Sequence, residues 1–398
     1  MLYTYRFRIY PNKEQQTFLN KQIGCCRFVY NYLLSKAIKD YEEHNKKFNY
    51  YKLKKELPEL KKKYSWLKEA NSQSLQESVL NLKRAFDKFF KEHTGFPKFK
   101  KKKSVNSISI PQHFKIIDDH LKIPKLKSLI KIKLHRKIEG NIKRISITRT
   151  PTCKYYLNVV VEKEIQPLSR LNNRIGIDVG IREYAVMFNG DNIEHINNPR
   201  YLIKTERKLK RLHRQLSRKQ KGSNNREKCR KKLAKIYEKI FNQRNDFLHK
   251  LSRRIVNENQ VIILEDLNIK KLVHNDSPGK YIAKHILDAS WSKFQSYIKY
   301  KSIWYGRTVV NVDQFYSSSQ TCHVCKYVNT DLKLSSVFWR CPNCGTRHHR
   351  DENSAINLYN VGQGLSEVTP VERGSVDDRG ILPPKKHPLV EAGSSLIH

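Results

Sequence analysis

The 398 residues suffice for two or three domains with a real core, and they carry 79 Lys and Arg against 37 Asp and Glu, a formal charge of +42 spread along most of the chain. A soluble surface does not need so much charge of one sign, and nucleic acid, with its dense phosphates, is the partner it fits. A membrane is not expected, because no long apolar run or dominant basic amphipathic helix is present, and Met1-Leu-Tyr-Thr-Tyr-Arg-Phe-Arg lacks a signal-peptide core.

In chain order, Leu2 to Tyr10 alternates as a strand that Pro11-Asn12 ends. Leu19, Ile23, Cys26, Tyr30 and Leu33 then mark one buried helical face, with Cys25 and Cys26 read as packing residues. Residues 40–69 read as helical with breaks around Pro58, and Ser72 to Lys91 as a second clear helix with Leu75, Val79, Leu82, Phe86 and Phe89 or Phe90 inward. Its other face carries Gln76, Lys83, Arg84 and Lys88, a solvated face or a phosphate contact. In the loop Thr94 to Lys103, Phe96 and Phe99 interleave with Lys98, Lys100 and the lysines after it. Aromatics among cations can stack on bases while lysines meet phosphates, and a basic linker is the alternative. Six short alternating segments between Ser107 and Glu162 predict a small antiparallel barrel with lysines on its outer face. Ile165 to Asn173 reads as a linker.

The second half begins with Arg174-Ile-Gly-Ile-Asp-Val-Gly, an apolar strand that carries Asp178. Glu183 to Asn189 pairs with it as a second strand, and Asp191-Asn192 makes a turn. Lys204 to Ile255 predicts a basic helical hairpin turning at Lys219 to Arg226, in which Cys229 has no assigned role. Val261-Ile-Ile-Leu-Glu265 reads as a buried strand of a parallel or mixed sheet, ending in a carboxylate that is costly to bury without a cation or donor. Asp266 beside it points to the opposite face, so Glu265 is the acid expected to share a site with Asp178. A polar loop through Asn275 to Gly279, a helix with Trp291, Phe294 and Tyr297, and a strand Thr308 to Asp313 follow. A third acid, Asp351, opens a helix in which Ala355 and Leu358 share its face, as an N-cap, a metal ligand or both. Three carboxylates are hard oxygen ligands of the kind magnesium takes.

Cys322-His-Val-Cys325 and Cys341-Pro-Asn-Cys344 are two knuckles whose spacing fits one tetrahedral zinc held by four thiolates, with two disulfides as the alternative. Four thiolates close the site, so the zinc is structural, and His323, His348 and His349 are read as bystanders. Eight cysteines without a disulfide framework point to a reducing, cytoplasmic setting, nucleoid-associated in a prokaryote.

These segments in their order resemble the TnpB family, transposon-encoded RNA-guided DNA nucleases related to the type V CRISPR effectors. The resemblance rests on Tyr5-Arg-Phe-Arg-Ile-Tyr-Pro11, Gly24-Cys-Cys-Arg-Phe-Val-Tyr-Asn31, Gly95-Phe-Pro-Lys-Phe-Lys100, Gly176-Ile-Asp-Val-Gly-Ile181, Leu264-Glu-Asp-Leu267, the paired knuckles and Arg350-Asp-Glu-Asn-Ser-Ala355. His349 departs from relatives that carry an acid just before Arg-Asp.

The resemblance implies an α/β RNase H-like (RuvC-like) nuclease domain with an inserted zinc ribbon, an N-terminal helical recognition lobe and a small β-barrel wedge domain. The expected boundaries are 1–10 for the first barrel strand, 11–103 for the recognition lobe, 104–170 for the wedge, 171–317 and 347–362 for the nuclease, 318–346 for the ribbon and 363–398 for a disordered tail. It implies a catalytic triad of Asp178, Glu265 and Asp351 holding two Mg2+, with Asp178 shared, and one Zn2+ on Cys322, Cys325, Cys341 and Cys344. Guide RNA from the transposon end and double-stranded target DNA are the implied partners of a monomer or weak dimer, with Gln76, Lys83, Phe96, Lys98 and Lys100 as candidate contacts. The expected activity is metal-dependent cleavage of target DNA beside a short flanking motif. Guide-dependent DNA binding without cleavage and DNA strand transfer are the alternatives.

Overall fold

Strict alternation builds the first sheet: along β1 (Leu2–Tyr10) the side chains of Tyr5, Phe7 and Ile9 are buried while Thr4, Arg6 and Tyr10 face solvent. The computed structural model of the chain describes residues 1–45, 48–102, 106–274, 279–333 and 335–364. It divides into two units, Met1–Glu164 and Ile165 onward.

In the first unit, α1 (Lys13–His44) starts at a capping box of Asn12 and Gln15 and buries the expected stripe from Leu19 to Leu33. Two short helices, α2 (Tyr50–Lys55) and α3 (Leu57–Lys63), and a 3-10 turn (Ser65–Glu69) lead to α4 (Ser72–Glu92). The helix break falls at Glu56, just before Pro58, which sits in the first turn of α3 where a missing N–H costs nothing. Then come β2 (Asn106–Ile110), β3 (Lys115–Ile117), β4 (His120–Lys122), β5 (Ile130–Lys133), β6 (Asn141–Arg149) and β7 (Tyr155–Glu162). They join β1 in one seven-stranded sheet of order β2-β6-β7-β1-β5-β4-β3. The expected barrel is therefore an open half-barrel: among the described residues no pairing joins β2 to β3. Closure fails because β3 and β4 are only three residues each, while α1 and α4 pack over β2 at the other edge. The outward lysines are as expected, with exposed Lys131 and Lys133 alternating with buried Ile130 and Ile132.

In the second unit, β8 (Arg174–Val179), β9 (Glu183–Phe188) and β10 (Ile193–Asn197) form an antiparallel meander. The Asn189 side chain accepts from the amides of Asp191 and Asn192 at its second turn. The unforeseen β10 is a mostly exposed edge strand, so no apolar period marks it. The hairpin α5 (Tyr201–Ser217) and α6 (Asn224–Glu258) follows. Leu233 and Ile240 of α6 pack with α5, whereas Leu248, Leu251 and Ile255 enter the core under the sheet. Next come β11 (Val261–Glu265), α7 (Ile269–His274), α8 (Gly279–Ala289), α9 (Trp291–Tyr305) and β12 (Thr308–Val312). Helix α7 occupies part of the expected polar loop; six residues are too few to display a stripe. Strands β13 (Phe338–Arg340) and β14 (Arg347–His349) pair with each other, and α10 (Arg350–Gly364) ends the described chain.

The sheet order is β10-β9-β8-β11-β12, with β11 parallel to both neighbours. The cysteine hairpin includes β14, so the ribbon runs three residues past its expected end at 346. Helix α10 covers 363 and 364, and residues 365–398 of the expected tail lie outside the described residues, as do Lys103 and the 275–278 part of the polar loop. No helix among the described residues is long and apolar enough to cross a membrane.

Candidate active site and cysteine centre

Register decides which acids meet. Ile177 of β8 stands beside Leu264 of β11, and one further step sets Asp178 beside Glu265 at the same ends of adjacent parallel strands. Ile177 and Leu264 belong to the core that also holds Leu248 and Phe294, whereas Ile263 packs with Val310, Val312 and Leu358 of α10. Alternation therefore turns Asp178 and Glu265 toward α10. Asp266, on the opposite parity, is exposed, and its amide donates to Val312 O.

Helix α10 lies so close to the sheet that glycine is required beneath it. A Cβ on Gly176 would stand 2.4 Å from Ala355 O and 2.5 Å from Tyr359 N, and one on Gly362 would stand 2.4 Å from Ile263 Cγ1. This close seat puts the first turn of α10, with Asp351, at the end of the sheet where Asp178 sits. Asp178 keeps some access to solvent. Desolvation, then the charges of Asp351 and Glu265, nevertheless push its carboxyl well above the usual range, against a hydrogen bond from Ser354 and the charge of Arg350. Burial also pushes Glu265 up. Its main-chain oxygen accepts from Gln295 Nε2 at 2.9 Å, which fixes the strand end. Asp178 thus faces the charges of two acids from distant segments, an arrangement a cation would relieve.

The four cysteines form a different centre. Their sulfurs lie within 4.8 Å of one another, with Cys322 and Cys344 at 3.7 Å and Cys325 and Cys341 at 3.5 Å. A tetrahedral ion with Zn–S near 2.3 Å implies sulfurs about 3.8 Å apart, whereas a disulfide needs about 2.05 Å. All four thiols are free, so the group fits zinc and not the disulfide alternative. A hydrogen bond with Asn343 pulls the Cys325 thiol down, toward the thiolate a metal needs. Among the described residues the metal-capable group holds the four cysteines and no histidine; His348 Nε2 lies 3.1 Å from Cys322 Sγ, and the backbone N–H of His323 donates to Asn353 Oδ1 at 3.0 Å.

The five candidate nucleic-acid contacts lie in the first unit. Gln76 and Lys98 are exposed. Lys83 is held by Asp87 at 2.6 Å. Phe96 packs edge-on against Phe86 and Phe89, and the ammonium of Lys100 lies 4.7 Å over the ring of Tyr30 while its backbone pairs with the Asn31 side chain. The loop is thus fastened to α1 and α4, with Phe96 and Phe99 half exposed.

Sequence reasoning missed four side chains around Asp351. His195 bridges Glu183 at 2.5 Å and Glu352 at 3.1 Å, and Asn353, Ser354 and Asn357 are buried between α10 and the loop before Cys322. Two asparagines four residues apart on an apolar helical face were the available signal.

Comparison with known proteins agrees with this layout. Three family profiles match: "Helix-turn-helix domain" over residues 1–47, "Probable transposase" (OrfB_IS605) over 157–276 and "Cas12f1-like, TNB domain" over 291–358. Over the first of these the described chain is strand β1 and the single helix α1. A Streptomyces pristinaespiralis protein named "Putative RNA-guided DNA endonuclease" is 33% identical over 368 residues, covering 91% of this chain and 90% of that protein. "Putative RNA-guided DNA endonuclease InsQ" of Escherichia coli K12 is 30% identical, with 92% and 93% covered. "TnpB-like protein L79" of Acanthamoeba polyphaga mimivirus is 26% identical over 53% of this chain and 41% of its own length. Among solved structures, a Cas12f1–sgRNA–target DNA complex matches at 16% identity and a TM-score of 0.36, covering 90% of this chain and 99% of that one. With nine-tenths of both chains aligned at one-third identity, the protein belongs to the TnpB family.

Proposed function

We propose that the chain is an RNA-guided DNA endonuclease of a transposon, with a RuvC-like, RNase H-type nuclease domain built on the β8–β11 sheet and a zinc ribbon set between β12 and α10. The observation that supports the reading is that the charges of Glu265 on β11 and Asp351 in the first turn of α10 both act on Asp178 of β8.

Asp178 is the natural shared ligand because the charges of both other acids act on it and Ser354 contacts its carboxyl. Glu265 and Asp351 would each complete one side. Magnesium bound there would supply Lewis-acid stabilisation of phosphate charge and a more acidic bound water. The chain's own part is to hold the three carboxylates on rigid elements, so that no histidine or lysine need act as base. The ribbon cysteines hold a structural zinc. Guide RNA and target DNA are the partners the +42 charge suits, and Gln76, Lys83, Phe96, Lys98 and Lys100 are proposed contacts.

The test is co-expression with transposon-end RNA, then incubation with magnesium and a plasmid library carrying a guide-matched target beside randomised flanks. Breaks are expected only with the RNA, beside one short flank, and none with Asp178→Ala, whose RNA binding should persist. RNA and target binding without breaks would replace this reading with guide-dependent binding; joined strands would replace it with strand transfer.

A further inference from the structure

Helix α10 carries two buried asparagines where a helix prefers neither. Asn353 and Asn357 are 1% and 0% exposed and lie four residues apart, on one face. A buried amide is costly unless it is hydrogen-bonded. Both amide nitrogens, though not the Asn357 Oδ1, find partners in the same short segment, the irregular chain leading into the first cysteine knuckle. Asn353 Nδ2 donates to Thr321 O at 2.7 Å, and its Oδ1 accepts from the His323 amide at 3.0 Å. Asn357 Nδ2 lies 2.9 Å from Ser318 O and 2.5 Å from Thr321 O. Between the two, Ser354 Oγ is 2.8 Å from Ser318 Oγ and also hydrogen-bonds the Asp178 carboxyl. The Ser354 hydroxyl donates to Ser318 Oγ and lies against the Asp178 carboxyl.

We infer that Asn353 and Asn357 are positioning residues that lock the acid-bearing helix to the base of the cysteine centre and so set where Asp351 and Ser354 stand relative to Asp178. This rests on the nuclease reading above. Asp351 is two residues before Asn353, on the same helical turn, so a slide or rotation of α10 against residues 318–323 displaces it directly. The cysteine centre would then act at a distance, as the anchor against which the carboxylate site is aligned.

The experiment uses the full-length protein and Mn2+ alone as the probe, with bound Mn2+ followed by electron paramagnetic resonance. Zinc content and melting temperature are measured on the same samples. Wild type should show a Mn2+ class that Asp178→Asn removes. Asn353→Ala/Asn357→Ala, by letting α10 shift, should weaken that class by about tenfold, comparable to losing an outer partner of a metal ligand, while retaining its zinc. Its cleavage should recover toward wild type as Mn2+ is raised, which a simple loss of folded protein would not do. Ser354→Ala, a minimal change expected to fold, removes the hydrogen bond to Asp178 itself and should weaken Mn2+ by about tenfold. Unchanged Mn2+ affinity in the folded, zinc-bearing variants would overturn the inference, as would loss of zinc in parallel with Mn2+. Absence of any Asp178-dependent Mn2+ class in wild type would instead defeat the nuclease reading itself, and this inference with it.

Discussion

The two ligand sets of the second unit are built in opposite ways. The four cysteines come from two tight knuckles within 23 residues, and their sulfurs already stand at metal-binding spacing. The three acids come from positions 178, 265 and 351, and only the parallel register of β8 and β11 and the close seat of α10 bring their charges together. Thiolates in knuckles are a local device whose metal completes the local fold. Carboxylates on a sheet are a global device: the fold forces like charges into proximity, and the strain is relieved by what binds there. One centre should therefore lose structure when a ligand is removed, whereas the other should lose activity and gain stability.

The largest effect that separates them is on cleavage. Asp178→Asn should reduce cleavage to background while raising the melting temperature of the metal-free protein. Removing one of three crowded charges is worth roughly 1 kcal/mol, or about 2–4 °C for a unit of this size. Magnesium should close that gap by stabilising wild type alone. A variant that melts below wild type without metal would show that Asp351 and Glu265 do not destabilise a charge at Asp178. Cys322→Ser is the counterpart: it should lose zinc, expose residues 318–349 to protease and lower cleavage, with a melting shift of opposite sign to that of Asp178→Asn. Retained zinc and an intact ribbon would break the comparison.

A smaller effect probes the seat of α10. Gly176→Ala places a methyl against the backbone of α10, which cannot move aside as a side chain could. The expected cost is about 1–3 kcal/mol of stability. A displacement of about 1 Å at Asp351 would add roughly a 100-fold loss of cleavage, with zinc content unchanged. Equal cleavage per folded molecule would show that α10 can shift without moving the acid.

How much of this could be read from the chain follows the same division. The cysteine spacing, the alternation of β1 to β7 and the apolar runs around Asp178 and Glu265 are local patterns, and each appears in the structure as an element of the expected kind. Preference for Glu265 over Asp266 also followed from local alternation, and Asp266 is exposed where Glu265 is partly buried. What was not legible depends on contacts between distant segments. Gly176 reads as an ordinary strand glycine until Ala355 and Tyr359 lie over it. Asn353 and Asn357 read as polar helix residues until the carbonyls of Ser318 and Thr321 meet them. The barrel was over-read for the same reason, since alternation specifies strands but not whether the two edges join.

The smallest effect tests whether the stability gain expected at Asp178 is a property of crowded acids or of any buried charge. Lys301 of α9 is a buried cation in the same unit, remote in role from either metal centre: its ammonium donates to His249 O at 2.7 Å and Ser252 Oγ at 2.8 Å. Burial, then the charge of Arg253, lowers it to about 8. An unfolded lysine holds its proton to about 10.4. Between these values the unfolded chain binds more protons, so this residue's contribution to stability rises with pH across that window and its penalty is fully present below about 8. Lys301→Met should therefore be the more stable protein at pH 7, by about 1–2 kcal/mol, with the advantage shrinking as pH climbs toward 10.4. Denaturant unfolding of both proteins at pH 7 and pH 10 measures the difference. A methionine variant weaker at pH 7 would mean that two good acceptors fully compensate a buried charge. The strain at Asp178 would then come from its acidic neighbours more than from burial, since Asp178 faces two charges of its own sign where Lys301 faces one.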